Sequence, residues 1–174
     1  SDDVGQGIAA TSDSIYVTGS YKNTLILKDG WTSGSEGQDS GITLPSMNFN
    51  TDAFIVKYNE DGKVQWATNI ASSGSDSGFG IAAIDDAVYV TGYYFATTSL
   101  KDGWTSGSEG QDSGITLLNV GSGDAFVVKY NEDGKVQWAT NIASTNNFDI
   151  GNGIAAIDNA VYVTGYYGNT LILK

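Results

Sequence analysis

The chain has 174 residues, with 23 glycines, one proline, no cysteine and no histidine, and its net charge is −12 from 20 acids against 8 lysines. Without arginine or a basic patch it lacks the electrostatic footprint of a nucleic-acid binder, and an anionic membrane surface would repel it. The lack of cysteine excludes disulfides and thiolate chemistry, and no apolar run reaches the roughly 18 residues of a membrane helix.

Internal repetition dominates the sequence. Tyr-Val-Thr-Gly begins at Tyr16, Tyr89 and Tyr162, and Gly-Ile-Ala-Ala at Gly7, Gly80 and Gly153, each with a period of 73 residues. KDGWTSGSEGQDSGITL occupies positions 28–44 and recurs unchanged at 101–117, and YNEDGKVQWATNIAS occupies 58–72 and recurs at 130–144. The spacing divides the chain into units at 5–77, 78–150 and 151–174, two complete and the last a half. Surface loops ordinarily drift faster than cores. A loop copied this faithfully reflects a recent duplication or a fixed role.

In the complete unit 78–150, the first element is the small apolar run Ile81 to Ile84. A turn at Asp85-Asp86 leads into AVYVTGYY, Ala87 to Tyr94, whose β-branched and aromatic residues predict a strand. A long Gly/Ser/Asp-rich excursion follows, with a short strand at Thr98 to Lys101. AFVVKY, Ala125 to Tyr130, is the third principal strand. Asn131-Glu132-Asp133-Gly134 makes a hairpin turn with Gly at the positive-φ position. KVQWATNI, Lys135 to Ile142, is the fourth. Both faces of the second and third strands are largely apolar, so the sheet is covered on both sides. The first strand suits a crowded inner position and the fourth an outer edge.

A repeated four-stranded antiparallel sheet packed between copies of itself is a β-propeller blade. The expected fold is therefore all-β: two complete blades and half of a third. A closed propeller needs about four to eight blades, so the chain reads as an open-ended fragment, or as a protomer completed by copies of itself. Neighbouring blades of a longer chain, or other copies, are then the expected partners.

The motifs Gly78-Phe79-Gly80-Ile81-Ala82, Val88 to Gly92, and Asp124 to Ala139 with Trp138 resemble the bacterial β-propeller repeats called SBBP repeats. The resemblance covers nearly the whole chain outside the excursions. It implies a secreted or cell-surface bacterial protein with a scaffold or interaction role and no catalytic residues. The excursions at 28–51 and 101–123 depart from the family pattern.

Candidate ligand residues lie in those excursions. Trp31 with Glu36 and Asp39, and Trp104 with Glu109 and Asp112, have the chemistry of a sugar site: a ring to stack on an apolar sugar face and carboxylates to accept hydroxyl hydrogen bonds. Against this stands a Trp that folds back to anchor its own loop or packs on the neighbouring blade. Asp29 and Asp102 add oxygen ligands that could hold Ca²⁺, although the spacing matches no diagnostic calcium loop; no other cofactor is expected. Asp52 and Asp124 precede a strand and read as hydrogen-bonding caps. Trp66 and Trp138 read as structural, packed between blades. With no His, Cys or Arg the catalytic inventory is thin, and no enzyme activity is expected.

Overall fold

The computed structural model describes residues 3–158, 160–168 and 171–173, the last three by their backbone. Every described element is a strand or a turn, and the architecture is all-β.

The first unit contributes β1 (Val4–Ala10), β2 (Ser14–Lys22), β5 (Thr51–Asn59) and β6 (Val64–Ile70), antiparallel in that spatial order. Between β2 and β5 the excursion forms its own hairpin, β3 (Leu25–Lys28) with β4 (Asp39–Leu44). The second unit repeats the plan: β7 (Ser77–Ile84), β8 (Ala87–Tyr94), β11 (Asp124–Asn131) and β12 (Val136–Ser144) form the sheet, and β9 (Thr98–Lys101) and β10 (Asp112–Leu117) form the hairpin. The third contributes β13 (Ile150–Ile157) and β14 (Ala160–Tyr166), which pair with each other. β15 (Leu171–Leu173) joins the outer edge of the preceding sheet, with Leu171 opposite Ser144 on β12.

The hairpins correct the expectation of a mostly irregular excursion. The strand at Thr98–Lys101 is present, and DSGITL supplies a partner strand in both copies. Asp39 and Asp112 each accept the N–H of a glycine two residues on, at 2.8 and 2.9 Å. Those glycines, Gly41 and Gly114, have φ of 75° and 77°, a region only glycine enters without cost. Beyond them Ile42, Leu44 and Leu117 are buried.

The sheets stack face to face. One face of the first blade (Tyr16, Ala53, Ile55, Trp66, Ile70) and the facing side of the second (Ile81, Val88, Val90, Phe126, Val128, Tyr130) form one apolar cluster. The units are therefore not separate beads: they share an apolar cluster, and its burial stabilises both.

Near the inner strands the blades touch through backbone. A Cβ on Gly78 would lie 2.1 Å from the Thr18 hydroxyl, and one on Gly151 would lie 1.9 Å from the Thr91 hydroxyl. Thr18 and Thr91 donate those hydroxyls to the carbonyls of Phe54 and Phe126, at 2.8 and 2.6 Å. The Thr of Tyr-Val-Thr-Gly thus ties the second strand to the third and offers a flat surface that only a glycine of the next blade can approach.

Farther out, Trp66 spans the interface. Its ring lies 6.0 Å from that of Tyr130, and its indole N–H donates to the carbonyl of Glu132 at 2.8 Å. A Cβ on Gly134, in the hairpin turn of the second blade, would stand 2.7 Å from the indole. Trp138 holds the matching position one blade on, but it is 38% exposed and packs on Tyr89 of its own sheet. The reading of both residues as packed between blades describes Trp66; Trp138 is partly open, with its ring against its own sheet.

Candidate functional site

The duplicated hairpins are the part of the chain that departs most from a bare blade. Each folds by the same local rules. The Asp29 N–H donates to the Gln38 carbonyl and the Asp102 N–H to that of Gln111, both at 2.9 Å, closing the loop that carries the tryptophan. Thr32 pairs with Ser35 and Thr105 with Ser108 at the tips. A Cβ on Gly37 or Gly110 would stand 2.7 Å from the Trp31 or Trp104 ring, so each indole packs closely on its own loop.

Each hairpin is pinned to its own blade through an aspartate. The Asp29 carboxylate accepts the Val64 N–H and that of Asp102 accepts the Val136 N–H, both at 2.9 Å. The Gly30 N–H donates to the Gly62 carbonyl and the Gly103 N–H to that of Gly134. Both aspartates considered for Ca²⁺ are therefore engaged with the first residue of the fourth strand, and no three acidic residues gather among the described residues. Glu36 and Glu109 lie exposed at the tips.

The far ends of the hairpins are held by Asp52 and Asp124, which are fully buried. Asp52 accepts the Met47 N–H at 2.7 Å, and Asp124 accepts the N–H groups of Val120 and Gly121 at 2.6 and 3.2 Å. A second pair, Asp76 and Asp149, does comparable work at the blade junctions. Asp76 accepts from the Ser72 hydroxyl and the Phe95 N–H, and Asp149 from the Ser144 hydroxyl and the Gly168 N–H. Asp3, one period before Asp76, accepts the Lys22 N–H in the same way. Sequence reasoning missed these three, although their 73-residue spacing was available as a signal.

Burial dominates the acid chemistry of this region. It pushes the Asp52 carboxyl up to about 7, with the Asp76 charge adding and the Met47 N–H opposing. Asp76 is pushed up to about 6 by burial, against its Ser72 and Phe95 donors. One Asp52 oxygen, Oδ1, has no hydrogen-bond partner among the described residues.

The two tryptophans, identical in sequence surroundings, differ in environment. Trp104 is 5% exposed and Trp31 is 67% exposed. Trp104 reaches across to the outer strand of the first blade: its N–H donates to the Ala67 carbonyl at 2.6 Å, and its carbonyl accepts the Ala67 N–H at 3.0 Å. The indole joins the apolar cluster of Tyr21, Leu27, Leu44, Phe54 and Ala67, and Lys101 lies 5.4 Å above the ring. Two more bonds fasten the hairpin to that strand and to the residue after it. Thr68 donates to the Lys101 carbonyl, and Thr98 donates to the Ala71 carbonyl. The second hairpin is a clasp over the edge of the first blade. The sugar-site constellation at Trp104, Glu109 and Asp112 thus has its tryptophan in the core; only Trp31 offers an open ring.

The paired tyrosines that follow Tyr-Val-Thr-Gly divide likewise. Tyr94 is buried and donates to the Leu118 carbonyl, and Tyr93 packs among Phe79, Phe95 and Phe148. Tyr166 and Tyr167 are exposed.

No family model matches the chain. It is similar to an uncharacterised WD repeat-containing protein, L264, of Acanthamoeba polyphaga mimivirus, at 32% identity over 182 residues and 94% of this chain. The chain spans 12% of that relative's length. A WD repeat is a four-stranded propeller blade, and the similarity agrees with the sheets described above: the chain is a tandem of all-β, propeller-type blades.

Proposed function

We propose that this chain is a non-catalytic β-propeller scaffold, of the SBBP repeat type, that acts by presenting blade faces to other proteins or to copies of itself. One observation carries the reading. Positions buried between the blades recur, open, on the outer faces of the array. Ile81 is 8% exposed, whereas Ile8, one period earlier, is 72% exposed. Tyr16 and Tyr89 are buried, whereas Tyr162, one period later, is 61% exposed. The two open faces carry the chemistry of the closed interface, so they complement each other as the inner faces do.

Sedimentation velocity over a concentration series tests this. The chain is expected to associate through these faces, and Ile8→Asp or Tyr162→Asp to prevent it by placing a charge in the contact. A chain that stays monomeric at high concentration and binds no other blade protein contradicts the reading. Secretion to the cell surface follows from the resemblance alone, and fractionation of the producing cells tests it.

Glycan binding is a second reading, confined to the first hairpin by the open ring of Trp31. A glycan array comparing the native chain with Trp31→Ala tests it; equal signals from both end it.

A further inference from the structure

We propose that the hairpin β3–β4, with Trp31 at its tip, is a docking element for one kind of partner: the outer edge strand of another complete four-stranded blade of this same repeat. The inference rests on the scaffold reading and names the element that would fasten the next blade.

Residues 28–44 and 101–117 are the same seventeen residues, although Leu25 and Ile26 stand where the second hairpin has Thr98 and Ser99, so what separates Trp31 from Trp104 lies outside that segment. What lies outside is the preceding blade. Trp104 exchanges two backbone hydrogen bonds with Ala67 and buries its ring on that blade. Trp31 has the same loop, the same glycine beneath its ring and the same aspartate pinning it to its own sheet. Its free side faces outward.

The strand portion has its own internal precedent. β3 is LILK, and β15 falls in the same tetrapeptide at 171–174. β15 pairs with the outer strand β12, with Ile172 opposite Ala143 and Leu173 opposite Ile142. Thus the Leu-Ile-Leu of this tetrapeptide is seen docked on the fourth strand of a preceding blade, and the tryptophan that follows it in the repeat is seen docked on the same strand one blade earlier. An exposed edge is a row of unpaired donors and acceptors, and propellers protect such edges. β3 and Trp31 together carry what such an edge requires.

The partner's chemistry follows from Ala67 and Thr68. The docked strand must present a small side chain where the indole enters, because Ala67 is wholly buried beneath it. It must also offer a hydroxyl at the next residue to reach the Lys28 carbonyl, as Thr68 reaches that of Lys101. The segment WATN of this repeat meets both conditions. A sugar meets neither, since the groups that point outward at Trp104 bond a β-strand.

The test adds one more copy of residues 5–77 directly ahead of the native chain and compares side-chain accessibility by hydroxyl-radical footprinting. In the native chain Trp31 is expected to label about an order of magnitude faster than Trp104. In the extended chain Trp31 should fall to the rate of Trp104. Ile8 reports separately on stacking of the blade faces. If Ile8 becomes protected and Trp31 does not, the docking role is overturned and the scaffold reading stands. If neither is protected, both fail. Trp31→Ala in the extended chain should leave the added blade to melt apart from the rest, and Trp31→Phe should restore part of the coupling. Cooperative melting of the alanine variant contradicts the proposal.

Discussion

Trp104 and Ala67 exchange both of their outward backbone hydrogen bonds, at 2.6 and 3.0 Å, although one belongs to a hairpin of the second blade and the other to the outer strand of the first. The bridge makes a surface excursion part of the core. It predicts that equal substitutions in identical loops have unequal effects. Trp104→Ala should destabilise the chain by about 3–5 kcal/mol, the usual cost of truncating a buried tryptophan. Trp31→Ala should change stability by less than about 0.5 kcal/mol, as exposed substitutions do. Denaturant unfolding of the two variants checks the contrast, and equal losses would contradict it.

Tyr130 is completely buried against Trp66, and its hydroxyl has no hydrogen-bond partner among the described residues. Burial drives its pKa above the ordinary tyrosine value, with Asp102 adding to the shift. A buried polar atom without a partner costs about 1–3 kcal/mol. Tyr130→Phe keeps the ring and removes that atom, so it should leave stability unchanged or raise it by about 1 kcal/mol. A clear loss in thermal unfolding would show that the hydroxyl is engaged.

The buried carboxyls give stability a definite pH dependence. Asp52 and Asp76 titrate at about 7 and about 6 in the folded chain, above the ordinary 3.8. Across that window the folded state holds more protons than the unfolded state. These two groups therefore make the chain less stable as pH rises from about 4 to 7, with no further change above. Asp52→Asn removes one of the two titrations. Calorimetry at pH 5 and pH 8 should show a smaller loss for the variant than for the native chain. An identical loss would remove Asp52 from this account.

Gly78 and Gly151 meet the hydroxyls of Thr18 and Thr91 where two blades approach most closely. Gly78→Ala should separate the first blade from the second and cost about 1–3 kcal/mol, the range for overpacking. Gly5→Ala, one period earlier, should cost little at the interface, because a Cβ there would meet only the Val17 side chain at 3.7 Å. Comparable losses in the two variants would show that the cost lies in strand backbone and not in blade contact.

Much of the blade was legible in the sequence. Val88 and Val90 with Tyr89, and Phe126 and Val128 with Val127, announced strands covered on both faces, and Asn131 and Gly134 announced the hairpin turn; the sheet has those strands and that turn. β4 and β10 were not legible, because Asp-Ser-Gly opens each strand with turn residues, and only the pairing of Leu44 with Leu25 and of Leu117 with Thr98 reveals the ladder. The site was less legible than the fold. Trp31 and Trp104 sit in the same seventeen residues, so local sequence assigns them one environment. Their difference comes from Ala67, which no local pattern connects to Trp104. The partners of Asp29 and Asp102, Val64 and Val136, are likewise 35 and 34 residues away.

Nuclear Overhauser effects from the Trp66 indole probe the stacking of the units most directly. Trp66 ends the first blade, and Tyr130 and Gly134 belong to the second; they meet only if the sheets lie face to face. Strong effects from the indole protons to the Tyr130 ring and the Gly134 α-protons are the predicted result. An indole that contacts only residues of its own sheet would mean that the units hang as separate beads, and the propeller account would be wrong.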